Sequence, residues 1–256
     1  MTANESGTRT VKSVDKLFTI LESLNELGGV RVTELADRLD MSKSTVYGYL
    51  ATMSQRGYVV KEGGEYRLSL QFLAVANKLQ NSERVYQLAE SQVEKLAEET
   101  RERANFIVEE QGKGVFVHRA TGADAVETDT HIGKKIYLHA TGAGKAILAH
   151  LPEEKIDEVV ERHRLIARTE NTITDREQLA TELETIRERG YAFNDEEGTS
   201  GLRSVGVPVI GPNDRVLGAL SVSGPSHRLK GEYFRSELPD EILGCANELE
   251  LRLTYS

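Results

Sequence analysis

The stretch that decides the N-terminal fold is residues 41–68, MSKSTVYGYLATMSQRGYVVKEGGEYRL. Its first part spaces apolar residues three and four apart from Ser42 to Met53, which predicts an amphipathic helix with Ser42 as N-cap. Gly57 stands where such a helix ends. The second part alternates apolar and polar residues on both sides of Gly63-Gly64, which predicts a β-hairpin with a two-residue turn.

Two more helices are predicted upstream of this stretch. The first has Ser13 as a plausible N-cap and runs to Leu27, where Gly28-Gly29 ends it. The second starts from Thr33 as N-cap and stops before the tight turn at Asp40-Met41. Helix, helix, tight turn, helix and hairpin is the order of a winged helix-turn-helix, which we predict over residues 1–69.

The third predicted helix and the first wing strand form a locally basic segment. Residues 41–61 contain no Asp or Glu and carry a net charge of +3, and Arg9 and Lys12 lie just before the first helix. A recognition helix presents its N-terminal end to base edges, and its amides and hydroxyls can meet phosphates. The candidate DNA-contacting residues are Lys43, Ser44, Thr45, Tyr47, Gly48, Arg56 and Lys61.

Other interpretations of this segment stay open. A small trihelical module with a wing can instead be a protein-interaction domain, and the Ser/Thr cluster can serve only to cap the helix. Tyr47 and Tyr49 are two positions apart and point about 200° apart on a helix, so they cannot both read bases. Tyr49 shares a face with Val46, Leu50 and Met53, which predicts a core position.

Composition places the chain among cytoplasmic proteins of ordinary size. Its 256 residues suggest one large domain or two ordinary ones. The single cysteine, Cys245, excludes a disulfide framework or a cysteine-based zinc cluster, fits a reducing compartment, and is predicted to lie in the core of the last helix. The first residues lack the apolar core of a signal peptide, and no run of about 18 apolar residues predicts a membrane span.

The net charge is −9, which taken whole argues against a nucleic-acid partner. The charge is unevenly distributed, however. Residues 1–80 hold 10 basic and 9 acidic side chains, whereas residues 81–256 hold 22 basic and 32 acidic ones. We therefore expect DNA to approach the N-terminal part only. The excess of acid is compatible with the salt-rich cytoplasm of a halophile, although a pI near 5.3 is mild for one.

Apolar residues at helical spacing between Leu70 and Leu96 predict two helical stretches with Asn81-Ser82 between them, and residues 85–256 are predicted as a second domain. Its predicted elements are a hairpin at 105–118, helices at 140–151, 153–162 and 174–189, strands at 191–193, 205–210 and 216–223, and a last helix at 240–253. Strands on both sides of a helical block suggest an α+β sheet covered by helices and able to hold a pocket.

Motifs for catalysis fail in this second domain. The segment GAGKA at 142–146 lacks the first glycine and the Ser or Thr of a phosphate-binding loop, since His139 and Ala146 stand there, and Ile147 replaces the third glycine of a dinucleotide site. No nucleophile elbow surrounds Ser221 or Ser223, and the six histidines show no metal-ligand spacing. We expect no catalytic residue, metal or cofactor; a hydrolase or transferase would need one of these serines as nucleophile.

Several spaced motifs resemble the IclR-type transcriptional regulators. In the N-terminal part they are KSVDKL at 12–17, KSTV at 43–46, LATM at 50–53, GYV at 57–59 and YRL at 66–68. In the C-terminal part they are LHATGAGKA at 138–146, RTENTIT at 168–174, GYAFNDEEGTSGL at 190–202 and SVSGP at 221–225. The resemblance implies a GAF-like effector-binding domain at 85–256 and a linker helix at 70–84 that helps a homodimer or homotetramer to form.

The resemblance also implies a function. It implies a regulator that binds double-stranded operator DNA under the control of a small metabolite, such as a sugar, sugar acid or other carboxylate, and that controls catabolic genes. The implied effector-binding residues are Gly142, Ala143, Asn194, Ser204, Ser221 and Ser223. This chain has Gly48, Asn194 and Ser204 where the family commonly has Arg, Asp and Cys. The alternative is a small-molecule sensor whose winged helix docks on a protein partner.

Overall fold

The computed structural model describes residues 10–255, in two compact units that divide between Leu79 and Gln80. Arg9, expected before the first helix, lies outside these residues. Within the described range, no helix combines the length and the apolar character needed to cross a membrane.

The first unit contains a winged helix-turn-helix, as predicted. Its elements are α1 (Lys12–Leu27), α2 (Val32–Arg38), α3 (Lys43–Gln55), β1 (Val59–Glu62), β2 (Glu65–Leu68) and α4 (Gln71–Gln80). The two glycines between β1 and β2 have φ of +58° and +89°, which a two-residue hairpin turn requires. The core of this unit is built from α1, α2, α3 and the wing, with Ile20, Leu35, Leu50 and Tyr66 buried.

Two of the three predicted N-caps in this unit are wrong. Ser42 caps α3 as predicted, since its Oγ accepts a hydrogen bond from Thr45 N at 3.2 Å. The helix α1 instead begins after Val11 and α2 after Arg31, and neither residue makes a side-chain cap. Ser13 and Thr33 therefore lie inside the first turns of these helices and are not their N-caps.

The second unit is an antiparallel sheet between two layers of helices, in agreement with the predicted α+β fold. Its elements are α5 (Arg84–Thr100), β3 (Arg103–Glu110), β4 (Lys113–Thr121), β5 (Lys135–Tyr137), α6 (Gly142–Leu148), α7 (Glu153–His163), α8 (Arg176–Arg189), β6 (Ala192–Asp195), β7 (Leu202–Ile210), β8 (Val216–Pro225) and α9 (Leu238–Tyr255). The strand order is β5-β4-β3-β8-β7-β6.

Successive side chains of a strand point to opposite faces of the sheet, and a different set of helices covers each face. On β8, Leu220 and Val222 point to the face covered by α5 and α9, where Cys245 is buried as predicted. Ala219 points to the opposite face, under α6, α7 and α8. Ser221 and Ser223 alternate with Leu220 and Val222, so they share the face of Ala219.

Several predicted boundaries in this unit differ from the structure. The helix predicted at 140–151 is a 3-10 turn followed by the shorter α6, and β5 was not predicted because it spans only three residues. Asp175, not Thr174, caps α8, with its Oδ1 accepting from Glu177 N and Gln178 N. The two helical stretches predicted on either side of Asn81-Ser82 are α4 and α5, so the linker implied at 70–84 includes α4, the irregular residues 81–83 and the first residue of α5.

Candidate functional site

The first candidate surface is the solvent-facing side of α3. Lys43, Ser44, Tyr47, Gly48 and Arg56 are exposed. Thr45 is half-buried, and Tyr49 packs partly against the core as predicted. We call the exposed residues 43, 44, 47 and 48, together with Arg56 directly after the helix, the α3 face.

Some polar groups at the start of α3 are already committed to capping it. Ser42 Oγ lies 3.0 Å from Ser44 Oγ and 2.8 Å from Thr45 Oγ1, in addition to the bond from Thr45 N. The hydroxyls of Ser44 and Thr45 therefore both take part in the capping network. Each can still form a further hydrogen bond, because a hydroxyl can donate once and accept twice. Lys43, by contrast, forms no ion pair with another described residue and projects freely.

The wing is less basic than the segment that leads into it. Lys61 is exposed and lies 5.2 Å from the centroid of the Tyr66 ring. The next residue, Glu62, pairs across the turn with Glu65, and Arg67 forms an ion pair with Glu62 at 2.8 Å. Since two carboxylates flank the wing tip, the positive charge available to a phosphate backbone is concentrated on the α3 face.

The second candidate site is a cavity of about 710 Å³ on the sheet face beneath α6. Its volume is within the usual range for a small-molecule site. Residues that line it come from β3, β6, β7, β8, the start of α6 and the segment 126–137. Of the six residues that the resemblance implies, the lining contains Ala143, Asn194, Ser204, Ser221 and Ser223. We call it the sheet cavity.

Gly142 does not line the sheet cavity. A Cβ at this position would lie 3.0 Å from Gly206 N and 3.1 Å from Ser204 Oγ, so Gly142 fills the contact between α6 and β7. The opposing Gly206 is equally constrained, because a Cβ there would be 2.3 Å from Ala143 N. These glycines let α6 lie directly on the sheet, and Thr141 Oγ1 caps the helix by accepting from Gly144 N at 3.1 Å.

One row of polar residues crosses the floor of the sheet cavity. Arg103 on β3 is paired with Ser223 on β8, Ser223 with Ser204 on β7, and Ser204 with Asn194 on β6. Directly paired residues on antiparallel strands project from the same face. We call Arg103, Ser223, Ser204 and Asn194 the polar row. Ser221, paired with Asn105, adds a second hydroxyl beside it.

The Asn194 end of the polar row is held by a buried ion pair. Asn194 Oδ1 accepts from Glu197 N at 2.8 Å, and the Glu197 carboxylate accepts from Lys145 Nζ at 2.6 and 2.8 Å. Thr172 Oγ1 donates to Glu197 O at 2.6 Å. Burial raises the pKa of Glu197, and Lys145, itself 2 % exposed, opposes that shift. This network fixes the turn after β6 to α6.

The residues at the Arg103 end of the polar row were not predicted from the sequence. Arg103 and Asn105 are 4 % and 3 % exposed and line the sheet cavity. The predicted hairpin started at Asn105, so Arg103 was left outside any element. The available signal was alternation, since RANFIVEE at 103–110 puts polar residues at its first and third positions in an otherwise apolar strand.

A second, wider cleft of about 1000 Å³ lies at the other end of the sheet, between the start of α5, α7 and the β7–β8 turn. It contains none of the predicted effector residues. In residues 10–255, two residues with a buried polar atom that lacks a hydrogen-bond partner line the sheet cavity. None of the residues that line the wider cleft has such an atom. The sheet cavity is therefore the candidate binding site. Across the same residues, no cluster of three or more His, Cys, Asp or Glu could hold a metal ion.

Comparison with known proteins identifies the family of both units. Residues 13–63 match the IclR helix-turn-helix domain, and residues 78–251 match the bacterial transcriptional regulator IclR C-terminal domain. A probable HTH-type transcriptional regulator ArcR from Halobacterium salinarum is 34% identical over 255 residues, covering 98% of this chain and 97% of that protein. The crystal structure of Thermotoga maritima IclR has a TM-score of 0.85 at 29% identity and covers 95% of this chain and 99% of that one.

A third comparison concerns the C-terminal unit alone. The inducer-binding domain of a double mutant of the PobR transcription factor from Acinetobacter, solved as a complex with 3-hydroxybenzoic acid, has a TM-score of 0.59 at 26% identity. It covers 64% of this chain and 96% of that domain. With two domain matches in the expected order and a relative aligned over nearly its whole length, this chain belongs to the IclR family of bacterial transcriptional regulators.

Proposed function

We propose that this regulator binds operator DNA through the α3 face and that a small carboxylate in the sheet cavity changes its operator affinity. The controlled genes are proposed to be catabolic ones whose substrate or product is that carboxylate. The observation that carries the proposal is the separation of two surfaces, an acid-free exposed helix face in one unit and a polar cavity in the other.

Exposure and charge support the DNA-binding half of the proposal. Lys43 and Arg56 are exposed at opposite ends of α3, and residues 41–61 carry no carboxylate that would repel phosphate. Tyr47 is 56 % exposed, which is unusual for a large aromatic side chain unless it meets a partner. Gly48 leaves open space beside it, so the helix can approach DNA closely at that point.

Serine hydroxyls in the sheet cavity support the effector-binding half of the proposal. The hydroxyls of Ser204, Ser221 and Ser223 form no hydrogen bond with another residue of the described chain, and all three line the sheet cavity. A ligand can therefore bond with each without displacing a protein partner. The related PobR domain was solved with 3-hydroxybenzoic acid, a small carboxylate that also carries a hydroxyl.

Exposed apolar side chains in the first unit support a homo-oligomer, either a dimer or a tetramer. Val14 and Phe18 on α1 are 44 % and 56 % exposed, and Leu73 on α4 is 64 % exposed. Large apolar side chains left in solvent at helical spacing mark surfaces that associate. Two copies would also present two α3 helices to an operator with two half-sites.

A gel-shift assay with the promoter next to the protein's own gene tests the proposal. We expect specific retention of that fragment and a change in retention when the cognate carboxylate is added, because a ligand that binds one DNA-binding state better shifts the equilibrium toward it. Lys43→Ala should weaken retention, whereas Lys155→Ala, which changes an exposed lysine on α7, serves as the matched control.

Three outcomes would contradict the proposal. No specific retention of any genomic fragment at any salt concentration would refute DNA binding, and a pull-down of a protein partner that survives nuclease treatment would favour a docking role for the winged helix. Turnover of a substrate that is abolished by Ser221→Ala would instead favour an enzyme.

A further inference from the structure

One half-buried lysine of the second unit has no carboxylate partner. Lys113, the first residue of β4, forms no ion pair with any residue that the structure describes. We propose that Lys113 is a site of covalent acylation by acyl phosphates, with Arg168 as the cation that holds the phosphate group. This modification goes beyond the proposed function and does not depend on it.

The amine of Lys113 lies against an aromatic ring. Lys113 is paired directly with Tyr137 on the edge strand β5, and its Nζ lies 3.1 Å from the centroid of the Tyr137 ring. The face of an aromatic ring attracts a cation, but it does not neutralise the charge as a carboxylate would. The ring therefore positions the nitrogen and removes water from one side of it.

The carboxylates at the start of β4 form other contacts. Glu110 on β3 is directly opposite Lys113 in the strand register, but its Oε1 lies 3.5 Å from Nζ of Lys135 on β5. Glu109, the residue before it, accepts a hydrogen bond from Gly112 N at 2.6 Å. Neither carboxylate lies within 4 Å of the Lys113 amine, so neither acts as its counter-ion.

The histidines around this turn do not supply a negative charge either. His139 Nε2 lies 3.1 Å from Ile166 O, and burial lowers the pKa of His139, which favours the neutral ring. His163 on α7 has its Nε2 2.7 Å from Gln111 O. A histidine is neutral or positive, so Lys113 gains no counter-ion from these two rings.

The charged group that acts on Lys113 is another cation. Arg168, in the connection between α7 and α8, is exposed and forms no ion pair with a described residue. Burial, and after it the like charge of Arg168, lowers the pKa of Lys113 to about 8. A lysine that is partly desolvated and next to another cation is activated as a nucleophile, because more of its amine is neutral.

Arg168 determines the class of acyl donor. A guanidinium matches the geometry of a phosphate group and binds it through parallel N–H donors. The guanidinium of Arg168 donates to no described residue, and both Arg168 and Tyr137 line the sheet cavity, where a small molecule can reach them. A phosphate bound by Arg168 brings its acyl group to the side of the Lys113 amine.

The reaction needs no oxidant, reductant or further reactant. The lone pair of the neutral Lys113 amine attacks the acyl carbon, and a C–N bond forms. The C–O bond between the acyl carbon and the phosphate breaks, and the proton that the nitrogen loses goes to the departing phosphate. The products are an amide on Lys113, which carries no charge, and inorganic phosphate.

Peptide mass spectrometry of the full-length protein, treated with acetyl phosphate at neutral pH, tests the proposal. Two lysines are internal references: Lys16 is exposed without an ion pair, and Lys155 is paired with Glu158 at 2.6 Å. At pH 7, a pKa of about 8 leaves about a tenth of the amine neutral, a few hundredfold more than in an ordinary lysine. A less basic amine is also a weaker nucleophile, so we expect Lys113 to be acetylated about tenfold faster than either reference.

Two further measurements separate activation of the amine from binding of the phosphate. The acetylation rate at Lys113 should level off above a pH of about 8, whereas the rate at Lys16 should continue to rise. Arg168→Gln should slow acetylation of Lys113 by acetyl phosphate at least fivefold, and should slow acetylation by the uncharged donor N-acetoxysuccinimide less. Arg162→Gln, at an exposed position of α7, is the matched control and should change neither rate.

Any of three results would overturn the proposal. The first is acetylation of Lys113 in the wild-type protein no faster than that of Lys16, which needs no variant to fold. The second is a rate at Lys113 that rises with pH in parallel with the rate at Lys16. The third is an unchanged rate with acetyl phosphate in Arg168→Gln, with an unchanged circular dichroism spectrum showing that the variant is folded.

Discussion

Replacing Gly48 with alanine should stabilise α3, while the same change at Gly57 should destabilise it. Gly48 lies inside α3, has a φ outside the left-handed region, and a Cβ added there would have no atom within 4 Å. Gly57 follows the same helix, and a Cβ there would likewise meet nothing within 4 Å, but its φ is +81°. The two sites therefore match in free space and differ in backbone conformation.

The magnitude follows from that difference. Glycine in an exposed helix interior costs about 1 kcal/mol relative to alanine, and Gly48→Ala should recover that amount because no contact opposes it. A side chain in the left-handed region costs about 1 kcal/mol or more, and Gly57→Ala should lose at least that. A free-energy change of about 1.4 kcal/mol alters an equilibrium constant tenfold. A change of about 1 kcal/mol therefore alters the equilibrium constant for opening of α3 about fivefold.

Native-state hydrogen exchange measures this quantity in the full-length protein. Amides of α3 should exchange about fivefold more slowly in Gly48→Ala and about fivefold faster in Gly57→Ala, if opening is at equilibrium during exchange. Amides in β3 provide an internal reference, because they belong to the other unit. Equal exchange of α3 amides in Gly48→Ala and wild type, or slower exchange in Gly57→Ala, would refute the reasoning.

Four further predictions concern charge, packing and association. Lys43→Ala should reduce the slope of log affinity against log salt by about one, as measured by fluorescence anisotropy on an operator fragment, and an unchanged slope would exclude a phosphate contact. Lys145→Met should cost about 3–5 kcal/mol in urea unfolding, since Glu197 is left buried without its partner; adding Glu197→Leu should recover most of the loss. Burial raises the pKa of the Cys245 thiol, so a thiol reagent at neutral pH should label it only on unfolding; rapid labelling of the native protein would show that the α9 core opens. Phe18→Glu should lower the molar mass found by light scattering if α1 contributes to an oligomer, and an unchanged mass would place the interface elsewhere.

Local signals in the sequence were sufficient for the first unit. The glycine pair at 63–64 and the capping serine at 42 each determine a short-range geometry that depends on few neighbours, and both predictions are confirmed. The predicted caps at Ser13 and Thr33 failed because the capping residue types alone do not determine where a helix begins. Both helices have their N-cap position two residues before the predicted cap, within the range over which helix ends commonly vary.

The candidate site in the second unit could be predicted from the sequence only in part. The resemblance led to the Ser221 and Ser223 side of the sheet cavity, because those serines belong to a motif with fixed spacing. The register that pairs Arg103 with Ser223 joins positions 120 residues apart, and no local pattern encodes it. Only the strand order β3-β8-β7-β6 places the arginine in the same row as Ser204 and Asn194.

The acidic charge of the chain bears on how such a cavity can select an anion. Residues 81–256 carry a formal charge of −10, so at low salt the surrounding field repels a carboxylate ligand and slows its approach. The repulsion acts through solvent and weakens as the Debye length falls from about 10 Å at 0.1 M salt to about 3 Å at 1 M. Contacts with buried residues of the sheet cavity, several of which are less than 10 % exposed, act at short distance and are screened far less. Rising salt should therefore speed carboxylate binding while its short-range contacts persist, whereas binding to DNA, which depends on released counterions, should weaken. An acidic regulator with a partly buried effector cavity can in this way remain responsive to its ligand in salt concentrations that loosen its hold on the operator.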